Sequence, residues 1–181
     1  MYKISELKEL LKNKKLDDKF SAIYGGDKNS IEEAYLRLSS VLEHFQKIEK
    51  SDNVRIFSAS GRTELSGNHT DHNNGCVLTA SINLDKLALV SKREDNKIIV
   101  YTDGIDNPDS IDINNLEIDK KEFGKSTALI RGVCAGLINS GYKIGGFTAS
   151  LNNKVLMGSG LSSSASFESL IGEILNALYN D

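Results

Sequence analysis

Two of the chain's three histidines, His69 and His72, flank Asp71 within the stretch GNHTDHNN at 67–74. Imidazoles beside a carboxylate serve in zinc sites, as general bases and as hydrogen-bonding clamps. Zinc wants three or four ligands on a framework that fixes their geometry. Here the candidates are nearly adjacent in a glycine-rich loop, Cys76 follows a further glycine, and His44 belongs to a separate helical stretch. Structural zinc is poorly supported, and no strained nucleophile elbow marks a serine for covalent catalysis. Arg62, Asn68, His69 and Asp71 do offer a dense set of donors and acceptors, which suits a polyhydroxylated ligand. A polar turn whose side chains cap its own backbone is the competing reading.

The second stretch is GSGLSSSAS, residues 158–166. Gly158 and Gly160 let backbone approach a bulky ligand with no Cβ in the way. Ser162, Ser163 and Ser164 fall where the first turn of a following helix has unpaired N–H groups and the positive end of its dipole. Such a terminus binds phosphate without a basic side chain. No lysine follows the glycines as it would in a Walker loop, so amides, hydroxyls and a metal are expected to meet the phosphate charge. A serine-capped helix after a flexible turn would read the same way.

The elements that must position these stretches follow from periodicity. Ile4, Leu7, Leu10 and Leu11 give a short amphipathic helix. Ser30 with Glu33 reads as a capping box opening a helix whose apolar stripe runs from about 31 to 48. VRIFSAS reads as a strand ending at Gly61, and residues 61–75 as a loop. Residues 76–90 and KIIVYT (97–102) read as two antiparallel strands joined across SKREDN. The acidic run 103–112, broken by Pro108, lacks the alternating oxygens and the glycine of an EF-hand and reads as a solvated turn. A helix is expected over 126–139 with Gly141 as its stop, then a strand in KIGGFTASL, a turn at Asn152 and Asn153, and a last helix striped by Phe167, Leu170, Ile171, Ile174, Leu175 and Leu178. Hairpins mixed with packing helices make the class α+β.

The 22 basic residues against 25 acidic ones, a net charge of −3, argue against a nucleic-acid or anionic-membrane surface. No apolar run approaches the ~18–20 residues of a membrane span, and the first residues have no apolar signal core. Cys76 and Cys134 read as small buried hydrophobes of a cytoplasmic protein.

The two stretches, in this order and about 90 residues apart, resemble the GHMP kinase superfamily, and the galactokinase family most closely. GRTELSGNHTDHNNGCVL is similar to the galactokinase signature G-R-x-N-L-I-G-E-H-T-D-Y-N-x-G-x-V-L, and GSGLSSSASFE to the phosphate loop. The resemblance implies a GHMP-kinase N-terminal domain (ribosomal protein S5 domain 2-like) over 51–181, preceded by an atypical helical extension over 1–50. By position, Arg62 would neutralise charge near the transferred phosphoryl group, and Asn68, His69, Thr70 and Asp71 would line the sugar site. Gly158, Ser159, Gly160, Leu161, Ser162, Ser163 and Ser164 would wrap the ATP phosphates, with Ser164 a Mg2+ ligand. The implied reaction is transfer of the γ-phosphoryl group of ATP to the anomeric hydroxyl of galactose, giving galactose 1-phosphate. Alternatives are a non-catalytic sugar and ATP sensor, or a kinase for a related hexose such as N-acetylgalactosamine.

Four of the departures from the pattern bear on the reading. Glu64 and Thr79 replace an asparagine and a proline, and His72 replaces a tyrosine. Asn68 replaces a glutamate, so a charge-assisted bond to a sugar hydroxyl worth about 1.5–3 kcal/mol would become a neutral one of about 1 kcal/mol. In the family the catalytic aspartate, a second magnesium carboxylate, the third glycine-rich motif and a ferredoxin-like domain follow the phosphate loop. The 181 residues are therefore read as an N-terminal portion, inactive alone, with part of the last helix's apolar face exposed.

Overall fold

The computed structural model describes residues 1–67, 70, 73–156 and 158–180. A six-stranded mixed sheet runs through the molecule in the order β1-β2-β3-β6-β4-β5. The strands are β1 (Tyr2–Lys3), β2 (Asn53–Ser66), β3 (Leu78–Arg93), β4 (Lys97–Thr102), β5 (Asp109–Asp112) and β6 (Gly146–Asn153). Helices α1 (Ile4–Lys12), α2 (Asp17–Tyr24) and α3 (Lys28–Ile48) cover one face, and α4 (Ser126–Asn139) and α5 (Ser163–Tyr179) the other.

Side chains alternate across a strand, and β3 shows the consequence. Leu87 and Leu89 enter the core shared with α1–α3, beside Leu7, Leu38 and Phe45. Ala88 and Val90 enter the core shared with α4 and α5, beside Ile130, Phe147 and Ile174. Residues 1–48 thus lay an amphipathic layer on the sheet, and all six apolar residues of the α5 stripe are buried. The exposed apolar face expected for the last helix is not found, because β2, β3 and α4 cover it.

Several expectations are corrected. The helix at 28–48 is capped by Asp27, whose carboxylate accepts from the Ser30 N–H at 2.9 Å, so Ser30 is capped rather than capping. Helix α2 was not anticipated; its eight residues hold too few turns for periodicity to declare itself. Strand β2 continues through Gly61 to Ser66, paired with β3 across register shifts at Ser60/Arg62 and Glu64/Ser66. The strands β3 and β4 are not neighbours: β6 lies between them, antiparallel to β3 and parallel to β4. Six successive residues of β6 are buried, a pattern that demands a central position. Gly146 permits the insertion, since a Cβ there would stand 2.7 Å from the Lys97 carbonyl oxygen. Asn152 and Asn153 pair with Leu87 and Lys86 as the end of β6 rather than forming a turn.

Part of the acidic run is strand. Ile111 turns inward opposite Ile98, and Pro108 precedes the first residue of β5, where its missing N–H removes no ladder bond. Cys134 is a buried core thiol, its pKa pushed up to about 12 by burial. Cys76 is exposed instead, because it lies in the loop leading to β3 rather than on the sheet.

Candidate active site

The phosphate-loop stretch is built from left-handed backbone. Gly158, Gly160 and Ser162 have φ of 74°, 75° and 58°, and α5 begins immediately after Ser162. Within the loop the Ser159 hydroxyl donates to the Leu156 carbonyl at 2.6 Å, and the Ser163 hydroxyl to the Val155 carbonyl at 2.9 Å. Ser166, one turn into the helix, donates to the Ala59 carbonyl of β2 at 2.9 Å and ties the helix start to the sheet. Ser164 is exposed and lines the cleft described below.

The signature strand meets this loop directly. The Arg62 N–H donates to the Leu161 carbonyl at 3.1 Å. A Cβ on Gly61 would stand 2.9 Å from the same oxygen, so the glycine read as a strand end is there for close approach. The Arg62 side chain is partly buried. Of the expected sugar residues, Asn68, His69 and Asp71, like His72, lie outside the described residues. Thr70 organises the loop: its hydroxyl donates to the Gly67 carbonyl at 2.8 Å, and its carbonyl accepts from Asn73 and Gly75. A Cβ on Gly75 would collide with the Thr70 side chain. His44 lies on the opposite, α3 side of the sheet, with Nδ1 2.8 Å from Ser150 Oγ.

A cleft of about 490 Å³ opens between α4, β6 and the start of α5. Ile105, Leu129 and Leu151 give it apolar walls, and Ser163, Ser164 and Lys86 add hydroxyls and an ammonium. Lys86 was missed by sequence reasoning. It comes from β3, and only the sheet register brings it to the serines. Its Nζ donates to Asn153 Oδ1 at 2.9 Å and to Ser163 Oγ at 3.1 Å. It places an ammonium beside the serines, where the sequence reading expected only amides, hydroxyls and a metal. Burial lowers the Lys86 pKa, and no carboxylate among the described residues offsets that effect.

No group of three or more His, Cys, Asp or Glu among the described residues could hold a metal ion. The one oxygen donor of the expected magnesium site that lies open at the loop is the exposed Ser164 hydroxyl, which would suit an ion held mainly by phosphates. Among the described residues no helix is long and apolar enough to cross a membrane.

Comparison with known proteins adds matches of signature, sequence and structure. Residues 43–92 match the galactokinase galactose-binding signature. The chain is 34% identical to a galactokinase of Clostridium tetani over 146 residues, 81% of this chain and 37% of that protein. It is 38% identical to one of Staphylococcus carnosus over 147 residues, 79% and 37% of the two chains. The crystal structure of Lactococcus lactis galactokinase complexed with galactose superposes with a TM-score of 0.73 at 33% identity, covering 80% of this chain and 38% of that one. The mevalonate kinase of Methanococcus jannaschii, at 18% identity and a TM-score of 0.56, shares the fold. The chain spans little more than a third of the relatives it matches. In signature, sequence and fold it corresponds to an N-terminal portion of the galactokinases, within the GHMP kinases.

Proposed function

We propose that these residues form the sugar and nucleotide half of an ATP-dependent sugar kinase, which phosphorylates the anomeric hydroxyl of galactose and feeds galactose 1-phosphate into Leloir metabolism. The observation that carries the reading is the hydrogen bond between Arg62 of the signature strand and Leu161 of the phosphate loop. Phosphoryl transfer depends on holding acceptor and donor in line. A sugar held by Asn68, His69, Thr70 and Asp71 and a triphosphate wrapped by residues 158–164 would share one rigid junction at that bond.

Apolar walls on the 490 Å³ cleft suit a nucleoside, with its phosphates turned to the first turn of α5. The Arg62 guanidinium would neutralise charge on the transferred group, and the N–H groups of the loop would hold the phosphates. Magnesium, when bound, would neutralise charge on the phosphate oxygens, with Ser164 as its ligand from this chain. The parent enzyme would work in the cytoplasm, and the 181-residue chain is expected not to turn over by itself.

The test is calorimetric titration of the chain with galactose and with ATP in magnesium, alongside Gly61→Val. Both ligands are expected to bind the parent chain. Crowding the Leu161 carbonyl in the variant should weaken ATP about tenfold or more. Failure of galactose to bind while other hexoses do would move the substrate to a related sugar, and Asn68→Glu should then restore galactose.

A further inference from the structure

Lys86 is only 4% exposed, yet it carries a cation with no carboxylate partner among the described residues. Its hydrogen-bond acceptors are the neutral oxygens of Asn153 and Ser163. Asp109 also lines the cleft but makes no ion pair with it. A buried ammonium without a counter-charge destabilises the fold, and such groups are normally paired. Here the cost is borne beside the N–H groups at the start of a 17-residue helix, in a cleft open to solvent, next to a hydroxyl of that helix's first residue. Two features favouring negative charge converge on one position: the helix terminus and a desolvated cation brought by a different element.

We propose that Lys86 is the phosphate-binding cation of this cleft. Its ammonium, aimed by Asn153 and Ser163, donates to an anionic oxygen of a polyphosphate seated on the first turn of α5. The proposal rests on the nucleotide reading above for the identity of the ligand, but not for its charge. Sequence conceals the role because the lysine precedes the glycine–serine loop by over 70 residues and lies on a strand. It also explains how the loop functions without the lysine of a Walker sequence.

The test compares the chain with Lys86→Met, titrating each by calorimetry with MgATP, adenosine and inorganic tripolyphosphate, and recording thermal melts. Methionine keeps the length and removes the charge. The expected result is ATP and tripolyphosphate weakened about tenfold or more, as for loss of one charge-assisted hydrogen bond. Adenosine should change by less than about twofold, and the unliganded variant should melt at a higher temperature. Equal weakening of ATP and adenosine, unchanged tripolyphosphate affinity, or a variant that no longer folds would overturn the proposal. Tripolyphosphate bound through Lys86 by a chain that ignores ATP would support the anion site and sink the nucleotide reading. Binding of neither by the parent chain would sink both.

Discussion

Asp85 and Lys86 are consecutive residues of β3, opposite in charge, both almost fully buried, and turned to opposite faces of one sheet. Asp85 faces the α1–α3 layer and is surrounded by partners. Its Oδ2 accepts from Tyr24 at 2.7 Å and from Ser58 at 2.6 Å, and its Oδ1 lies 2.8 Å from Arg37 Nη1 as a close ionic contact. Burial and the adjacent carboxylate push the Tyr24 hydroxyl pKa far up, so it stays a donor. Arg37 Nε donates in turn to Asn152 at 2.9 Å. Lys86, one residue on, has two neutral acceptors and no counter-charge among the described residues. The same strand thus carries a charge neutralised within the fold and, among the described residues, one with no counter-charge. Burial is common to both residues; what separates them is the set of partners each one meets.

The largest way to break this contrast is Asp85→Ala. It removes the counter-charge of a buried guanidinium and the acceptor of two hydroxyls, and should cost about 3–5 kcal/mol in urea denaturation. Arg37→Met should cost less, about 3 kcal/mol at the low end of that range, because Tyr24 and Ser58 still donate to the carboxylate. A reversed order would mean the hydroxyls contribute little. Lys86→Met should instead stabilise by about 1 kcal/mol, since a desolvated charge is replaced by apolar volume.

The pH dependence sharpens the same point. The folded pKa of Lys86 is lowered, so above it the unfolded chain binds more protons than the folded one. Its destabilising contribution should shrink as pH rises through the lowered pKa, and vanish near the ordinary lysine value of about 10.4. The difference in melting temperature between the parent chain and Lys86→Met, measured from pH 7 to 10.5, should narrow accordingly. The smallest effect is expected at Asp95, whose carboxylate meets Arg93 at 2.6 Å on the surface. The guanidinium holds its pKa down to about 2, so the pair is intact above about pH 4 and lost only as pH falls towards 2. Asp95→Asn should leave the neutral-pH melting temperature within about a degree, because solvent screens the pair.

What could be read from sequence divides along physical lines. The range of α4 and the apolar stripe of α5 were legible because long amphipathic helices declare themselves locally, whereas the full burial of that stripe was not. The glycine–serine loop ahead of α5 was legible because its glycines and its helix start are contiguous. The neighbours of β6, the passage of β2 through Gly61 and the arrival of Lys86 beside Ser163 were not, because each depends on register between distant strands. Tyr24, Arg37 and Asp85 were overlooked for the same reason: no spacing rule links residues on α2, α3 and β3.

The place of β6 has a consequence for how the chain acquires its structure. The strands β3 and β4, though joined by a short turn, cannot close on one another as a local hairpin and keep that pairing. They must hold a slot open for a strand that follows some fifty residues later. Such non-local closure slows folding and leaves unpaired edges exposed in the meantime. During synthesis the sheet stays unfinished until Asn153 has left the ribosome, and the glycine–serine loop follows within a few residues. Completion of the sheet and delivery of the glycine–serine loop are therefore one late event, and a chain stalled before it would present chaperones with two open strand edges.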